Sequence, residues 1–181
     1  MGSPSSEGDI KLSLPDAYKT LAEQSDDFFL GGVTIAERHA SKRNEHERLI
    51  EKTTQGCQFF ISQAVYNAQA TIDLITSYAR TCKAQGVAPK RIILTFTPCG
   101  GEKTLEFMQW LGISVPEATK WRMLDADNTL SESVRICREN LDSILKSCAH
   151  LDVPLGLNIE SLTNRKEEID ASINLYRLLK A

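Results

Sequence analysis

The fold is decided by the stretch Gly31-Gly32-Val33-Thr34-Ile35-Ala36-Glu37-Arg38-His39, which follows the apolar run Phe28-Phe29-Leu30. Glycines, small residues and β-branched residues give way within a few positions to three ionisable side chains. This pattern is typical of a buried strand that ends at a polar rim. We therefore predict a strand over residues 28–34, with the charged segment placed where the strand ends.

Three further segments have the same character, because each is short, apolar or β-branched, and bounded by turn-forming residues. They cover residues 58–63, 91–97 and 154–160. None of them alternates strictly between polar and apolar positions. Continuous apolar runs of this kind favour strands that are covered on both faces, as in parallel sheets.

Helical patterns lie between these strands, and the predicted order is α-β-α-β-α-β-α-α-α-β-α. The helices are predicted over residues 16–24, 44–54, 68–84, 102–111, a short segment opening at Pro116, 131–149, and from about 164 to 179. Alternation of this kind predicts a parallel α/β sheet with right-handed crossovers. We expect one domain over residues 13–181, preceded by a disordered leader over residues 1–12.

Polar residues follow each predicted strand, and parallel strands bring such residues to one edge of a sheet. Arg38 and His39 can bind an anionic group or transfer protons, or Glu37 pairs with Arg38 or Lys42 in a polar loop. Gln63 offers a donor and an acceptor to a planar heterocycle such as a pterin or flavin, or it satisfies nearby backbone.

Two other strand ends carry weaker signals. Glu160 can serve as an acid, a base or a hydrogen-bond acceptor, or it can cap the last helix. Gly100 and Gly101 can present backbone amides to a phosphate, but they lack the spacing of known phosphate-binding loops and also suit a structural turn.

Composition excludes several classes of function. The net charge of −3 gives no general attraction to nucleic acid or anionic lipid. No apolar stretch approaches the roughly 20 residues of a membrane helix, and the first residues lack the apolar core of a secretion signal, so a cytoplasmic location is expected. The five cysteines form no Cys-x-x-Cys pair, which argues against a zinc site and against a disulfide framework.

The combination of Gly31–His39 with Glu45, Lys52 and the strand end Phe59-Phe60-Ile61-Ser62-Gln63 resembles the second half of methylenetetrahydrofolate reductases. The resemblance extends from about residue 27 to the end of the chain. It implies a (β/α) TIM-type barrel, of which about four βα units are present. It also implies reduction of methylenetetrahydrofolate to methyltetrahydrofolate with NADH or NADPH, and with FAD.

The resemblance assigns roles to individual positions. His39, Glu45 and Lys52 match positions that hold the flavin, and Gln63 matches a residue that contacts folate or nicotinamide. Glu37, Arg38 and Glu160 are further candidates, while no metal ligand and no catalytic residue is assigned. The sequence departs from the family at Ile35-Ala36, where the family has Tyr-Pro, and similarity to a divergent branch weakens the expectation of FAD.

Four strands are half of what a closed barrel needs, and an open half-barrel leaves edges unpaired and apolar surface exposed. We therefore expect the chain to associate with another copy or with a missing N-terminal half. Two rival hypotheses remain: a non-catalytic subunit or remnant that binds folate, flavin or a partner chain, and an unrelated flavodoxin-like sheet with a phosphate loop at Gly100-Gly101.

Overall fold

The computed structural model describes residues 13–24 and 28–180, so the predicted leader over residues 1–12 lies outside the described residues. Four strands form a single sheet in the order in which they occur along the chain. They are β1 (Gly31–Thr34), β2 (Phe59–Ala64), β3 (Arg91–Phe96) and β4 (Leu155–Ile159). All three strand pairs are parallel, which confirms the predicted parallel α/β sheet. The described strands leave β1 and β4 as edges, so the closed barrel stays a prediction.

Helices follow every strand, as expected for parallel connections. They are α1 (Leu14–Gln24), α2 (Ala36–Lys42), α3 (Glu45–Thr54), α4 (Ala68–Gln85), α5 (Glu102–Trp110), α6 (Glu117–Leu124), α7 (Thr129–Cys148) and α8 (Lys166–Lys180). Asn128 caps α7 by accepting a hydrogen bond from the Ser131 N–H, which is why this helix begins before the predicted residue 131. None of these helices is both long enough and apolar enough to cross a membrane.

Helix α2 is the element that the sequence reasoning missed. Glu37, Arg38 and His39 were predicted to lie where a strand runs out, whereas they form the first turns of this short helix. The strand itself was predicted from residue 28 but begins at Gly31, and Phe28 and Phe29 are exposed. The pairing register explains why β1 begins at Gly31, because this residue lies opposite Phe59, the first residue of β2.

Gly31 permits a close approach between an aromatic ring and the backbone. A Cβ at this position would come within 2.3 Å of the Phe59 ring, which also stacks against Phe29 with the ring centroids 5.4 Å apart. A larger side chain at this position would displace the Phe59 ring, so the glycine allows the ring to pack against the start of β1.

The sheet has one covered face and one open face. Phe60, Ile92 and Leu94 are fully buried on one face, where the Phe60 ring contacts Tyr78 of α4 and α4 packs against α7. Val33 and Ile61 point to the opposite face, where they are 50% and 37% exposed. Both faces were expected to be covered, and the open one is a correction to that expectation within the described part of the chain.

Candidate functional site

A β-bulge positions Gln63 at the carboxyl end of the sheet. Ser62 and Gln63 on β2 stand opposite the single residue Leu94 on β3, and the Ser62 hydroxyl accepts a hydrogen bond from the Thr95 N–H at 2.9 Å. The Gln63 amide nitrogen donates to the Leu111 carbonyl at 3.3 Å. Its Oε1 is buried and has no hydrogen-bond donor among the residues that the structure describes. Gln63 therefore keeps a free acceptor at the end of the sheet where parallel α/β proteins bind ligands.

A second polar group lies two strands away. The Asn158 amide nitrogen on β4 donates to the Thr95 hydroxyl at 3.3 Å and to Glu160 Oε2 at 3.4 Å. Thr95 and Asn158 are register partners on the open face of β3 and β4. The carboxylate of Glu160 is thus held at the carboxyl end of the sheet, as its position in the sequence predicted.

His39 lies in the helical layer, behind the sheet. Its ring is 6% exposed, with Nε2 3.2 Å from the Ser77 hydroxyl on α4 and Nδ1 3.4 Å from Nδ1 of His46 on α3. Burial, and then the nearby His46, lower the pKa of His39. His46 is itself partly buried against the His39 ring.

Glu45 is completely buried and holds the start of α2 to α3. Its carboxylate accepts from the Ile35 N–H at 3.1 Å and from Arg38 at 3.0 Å, and Arg48 lies 3.5 Å away. Arg38 therefore pairs with Glu45, not with Glu37 as the polar-loop interpretation had it. Glu37 is partly buried, and desolvation raises the pKa of its carboxyl group.

Lys52 closes the outer edge of β1. The Leu30 carbonyl accepts a hydrogen bond from the Gln58 N–H, so the backbone groups of Leu30 face β2. Because these groups alternate in direction from one residue to the next, those of Val33 and Ile35 point away from β2. Lys52 donates to the Val33 carbonyl, and Glu45 receives the Ile35 N–H. Burial lowers the pKa of Lys52, and the nearby Glu45 opposes that effect. The side chains of α3 thus occupy the edge where another strand would pair.

The predicted site residues consequently fall into two groups. Gln63 and Glu160 lie at the carboxyl end of the sheet, together with Asn158 and Thr95, which the sequence reasoning did not single out. His39, Glu45 and Lys52 lie beside β1 and are bonded to protein groups. This second arrangement does not favour a flavin site, and FAD binding stays a prediction.

The turn at Gly100-Gly101 packs against an acidic side chain. A Cβ on Gly100 would come within 2.2 Å of Glu168 Oε1, and the Glu168 carboxylate accepts from Thr104 and Thr163, both at 2.6 Å. A carboxylate already fills the space beside this turn and repels phosphate. The structure therefore favours the structural interpretation over a phosphate loop.

The cysteines are not candidates for nucleophilic chemistry. All five are free and buried. Burial raises the pKa of the Cys137 thiol to about 12 and also raises the pKa of Cys99, which keeps both thiols protonated at neutral pH.

Another feature that the sequence reasoning missed is an aromatic pair on α5. Phe107 and Trp110 stack with ring centroids 5.7 Å apart and are 39% and 71% exposed. Trp110 directly precedes Leu111, whose carbonyl receives the Gln63 amide. The helical spacing i, i+3 was the available signal, and it places aromatic surface near the same end of the sheet.

The chain matches no family model and none of the curated proteins. Among solved structures it is similar to an uncharacterised protein from Clostridium thermocellum that binds two copies of 5-methyl-5,6,7,8-tetrahydrofolic acid. The two chains are 42% identical, with a TM-score of 0.88. The match covers 93% of this chain and 59% of the other, so this chain spans less than two thirds of that protein's length. Membership of the methylenetetrahydrofolate reductase family stays a prediction.

Protonation of His39 is expected to weaken the fold. Its pKa is lowered below the ordinary value of 6.5, so the unfolded chain binds the proton first and stability falls as the pH drops below about 6.5. We expect His39→Asn to show a smaller loss of the free energy of unfolding than the wild type between pH 7 and pH 5, in urea titrations. His150→Asn, at an exposed position, should keep the wild-type slope; equal slopes for all three proteins would contradict this role.

Proposed function

We propose that the chain binds a reduced folate such as 5-methyltetrahydrofolate at the carboxyl end of its sheet. The observation that carries the proposal is the similarity, at 42% identity over 93% of this chain, to a protein that binds this compound. The geometry supports it, because the buried, unpaired oxygen of Gln63 and the exposed carboxylate of Glu160 both lie at the carboxyl end of the sheet. Isothermal titration calorimetry of the purified chain with 5-methyltetrahydrofolate tests the proposal directly.

Gln63→Ala is expected to weaken binding of 5-methyltetrahydrofolate roughly tenfold while leaving the melting temperature nearly unchanged. The fold should tolerate the change, since it removes one hydrogen bond of 3.3 Å together with a buried oxygen that receives no hydrogen bond within the described part of the chain. Calorimetry gives the affinity, and thermal denaturation gives the stability.

Gln69→Ala is the matched control, since that glutamine lies exposed on α4 and bonds only to Asp73 among the described contacts. It should bind like the wild type. A Gln63→Ala protein that loses stability and affinity in parallel would instead show that Gln63 is a structural residue.

A reductase activity is the narrower form of this proposal. The resemblance to methylenetetrahydrofolate reductases supports it, while the engagement of His39, Glu45 and Lys52 by protein groups does not add support for FAD. Oxidation of NADH or NADPH in the presence of methylenetetrahydrofolate tests the activity, and flavin absorbance of the purified protein tests the cofactor. Folate binding without turnover would favour the non-catalytic subunit.

We also propose that β4 is the edge through which the chain associates with further polypeptide. Leu157 on β4, together with Ile169 and Ile173 on α8, is 40–45% exposed, and all three line one groove of about 430 Å³. Asn158 and Glu160 line the same groove, so a second copy bound there lies next to the proposed folate site. The outer edge of β1 is occupied by Lys52 and Glu45, so β4 offers the freer edge. A second copy of this chain is the occupant that the proposal names.

Ile173→Asp is expected to reduce self-association at least tenfold, measured by sedimentation velocity over a range of protein concentrations, because it places a charge in the apolar groove. Leu145→Asp is the matched control, since Leu145 on α7 is also 45% exposed but lies outside this groove. A wild-type chain that stays monomeric at all concentrations would contradict self-association and would favour a different polypeptide as the occupant.

A further inference from the structure

The Glu160 side chain is exposed, but its carboxylate accepts a hydrogen bond from the Asn158 amide. Both hydrogens of the Asn158 amide nitrogen are used, one toward Thr95 Oγ1 at 3.3 Å and one toward Glu160 Oε2 at 3.4 Å. Thr95 is only 2% exposed and lies on the adjacent strand β3, so these hydrogen bonds begin in the buried part of the sheet. Glu160 keeps Oε1 and further lone pairs for a ligand.

The backbone around Glu160 is fixed as well. Its N–H donates to the Phe96 carbonyl at 3.1 Å, and its carbonyl accepts from the Ser172 hydroxyl at 3.1 Å. The backbone of Glu160 is therefore hydrogen-bonded to both β3 and α8, and its side chain lies at the carboxyl end of the sheet. Such preorganisation is what a recognition residue needs, because little conformational entropy is lost on binding.

A carboxylate has two acceptor oxygens, so it suits the edge of a reduced folate that carries two neighbouring donors. The pterin ring presents two neighbouring donors, the N3–H and the 2-amino group, in a geometry that resembles half of a guanidinium fork. A carboxylate accepts such a pair through both oxygens, as it does with arginine.

We propose that Glu160, positioned by Asn158, binds the N3–H and 2-amino edge of the pterin ring. This proposal rests on the proposed function, since it assigns an orientation to a ligand whose binding is itself proposed. Asn158 is a positioning residue, and Glu160 is the residue that contacts the ligand.

The test compares 5-methyltetrahydrofolate with its 2-desamino-2-methyl analogue by calorimetry. The wild type should bind the natural ligand at least tenfold more tightly than the analogue, because the analogue lacks one of the two donors. Glu160→Gln should lose about tenfold in affinity for 5-methyltetrahydrofolate and should discriminate little between the two compounds. Asn158→Ala should lose part of this discrimination.

Glu167→Gln is the matched control, since it removes the same charge from an exposed position on α8 that lies in the groove against α7. It should retain both the affinity and the discrimination of the wild type. A Glu160→Gln protein that binds and discriminates like the wild type would overturn the assignment while leaving folate binding intact. A wild type that does not bind 5-methyltetrahydrofolate would overturn the proposed function, and this assignment with it.

Discussion

Glu45→Ala is expected to lower the free energy of unfolding by about 3 kcal/mol, since removing one member of a buried ion pair leaves its partners uncompensated. Glu45 is fully buried, and its carboxylate accepts from the Ile35 N–H and from Arg38 while facing Arg48. The two arginines are 31% and 47% exposed, which keeps the expected loss at the lower end of the range for buried pairs.

Urea denaturation followed by circular dichroism measures this loss. Glu47→Ala is the control on the same helix, because Glu47 is exposed in the first turn of α3 and its interaction with the helix dipole contributes less than about 1 kcal/mol. A Glu45→Ala protein of near wild-type stability would contradict the structural role and would restore Glu45 as a candidate for cofactor binding.

Phe60→Ala is expected to lower the free energy of unfolding by about 4 kcal/mol, through lost apolar burial and the cavity left behind. The Phe60 ring is fully buried and lies edge-on to the Tyr78 ring of α4, with centroids 6.3 Å apart. Gly32 backs onto the same ring, since a Cβ there would lie 3.1 Å from it. Phe60 therefore joins β1, β2 and α4 in one packed layer.

Phe107→Ala removes the same number of atoms from a ring that is 39% exposed, and it should cost about 1 kcal/mol or less. Urea denaturation of both variants gives the comparison. Similar losses for the two phenylalanines would mean that the covered face of the sheet is not the principal core of the domain.

The sequence predicted the sheet well because short apolar runs bounded by turns leave few alternatives to buried parallel strands. It predicted the ends less well, since Phe28 and Phe29 are apolar but lie before the register begins at Gly31. Helix α2 was missed for a similar reason. Seven residues are too few for a periodic apolar pattern, and its identity depends on Glu45, which binds the Ile35 N–H from ten residues away.

The candidate site shows the same division between local and long-range information. Gln63 and Glu160 were predicted from their positions at strand ends, which a sequence reveals directly. The support that Asn158 gives to Glu160 depends on the pairing of β3 with β4, and that pairing joins residues 63 positions apart. The engagement of His39 by Ser77 is likewise a tertiary contact that no local pattern encodes.

The most direct test of the account is calorimetric titration of the purified chain with 5-methyltetrahydrofolate. We expect saturable binding that weakens in the Gln63→Ala and Glu160→Gln variants, while the Gln69→Ala and Glu167→Gln controls bind like the wild type. A folded wild-type chain that gives no saturable binding at millimolar ligand would contradict it.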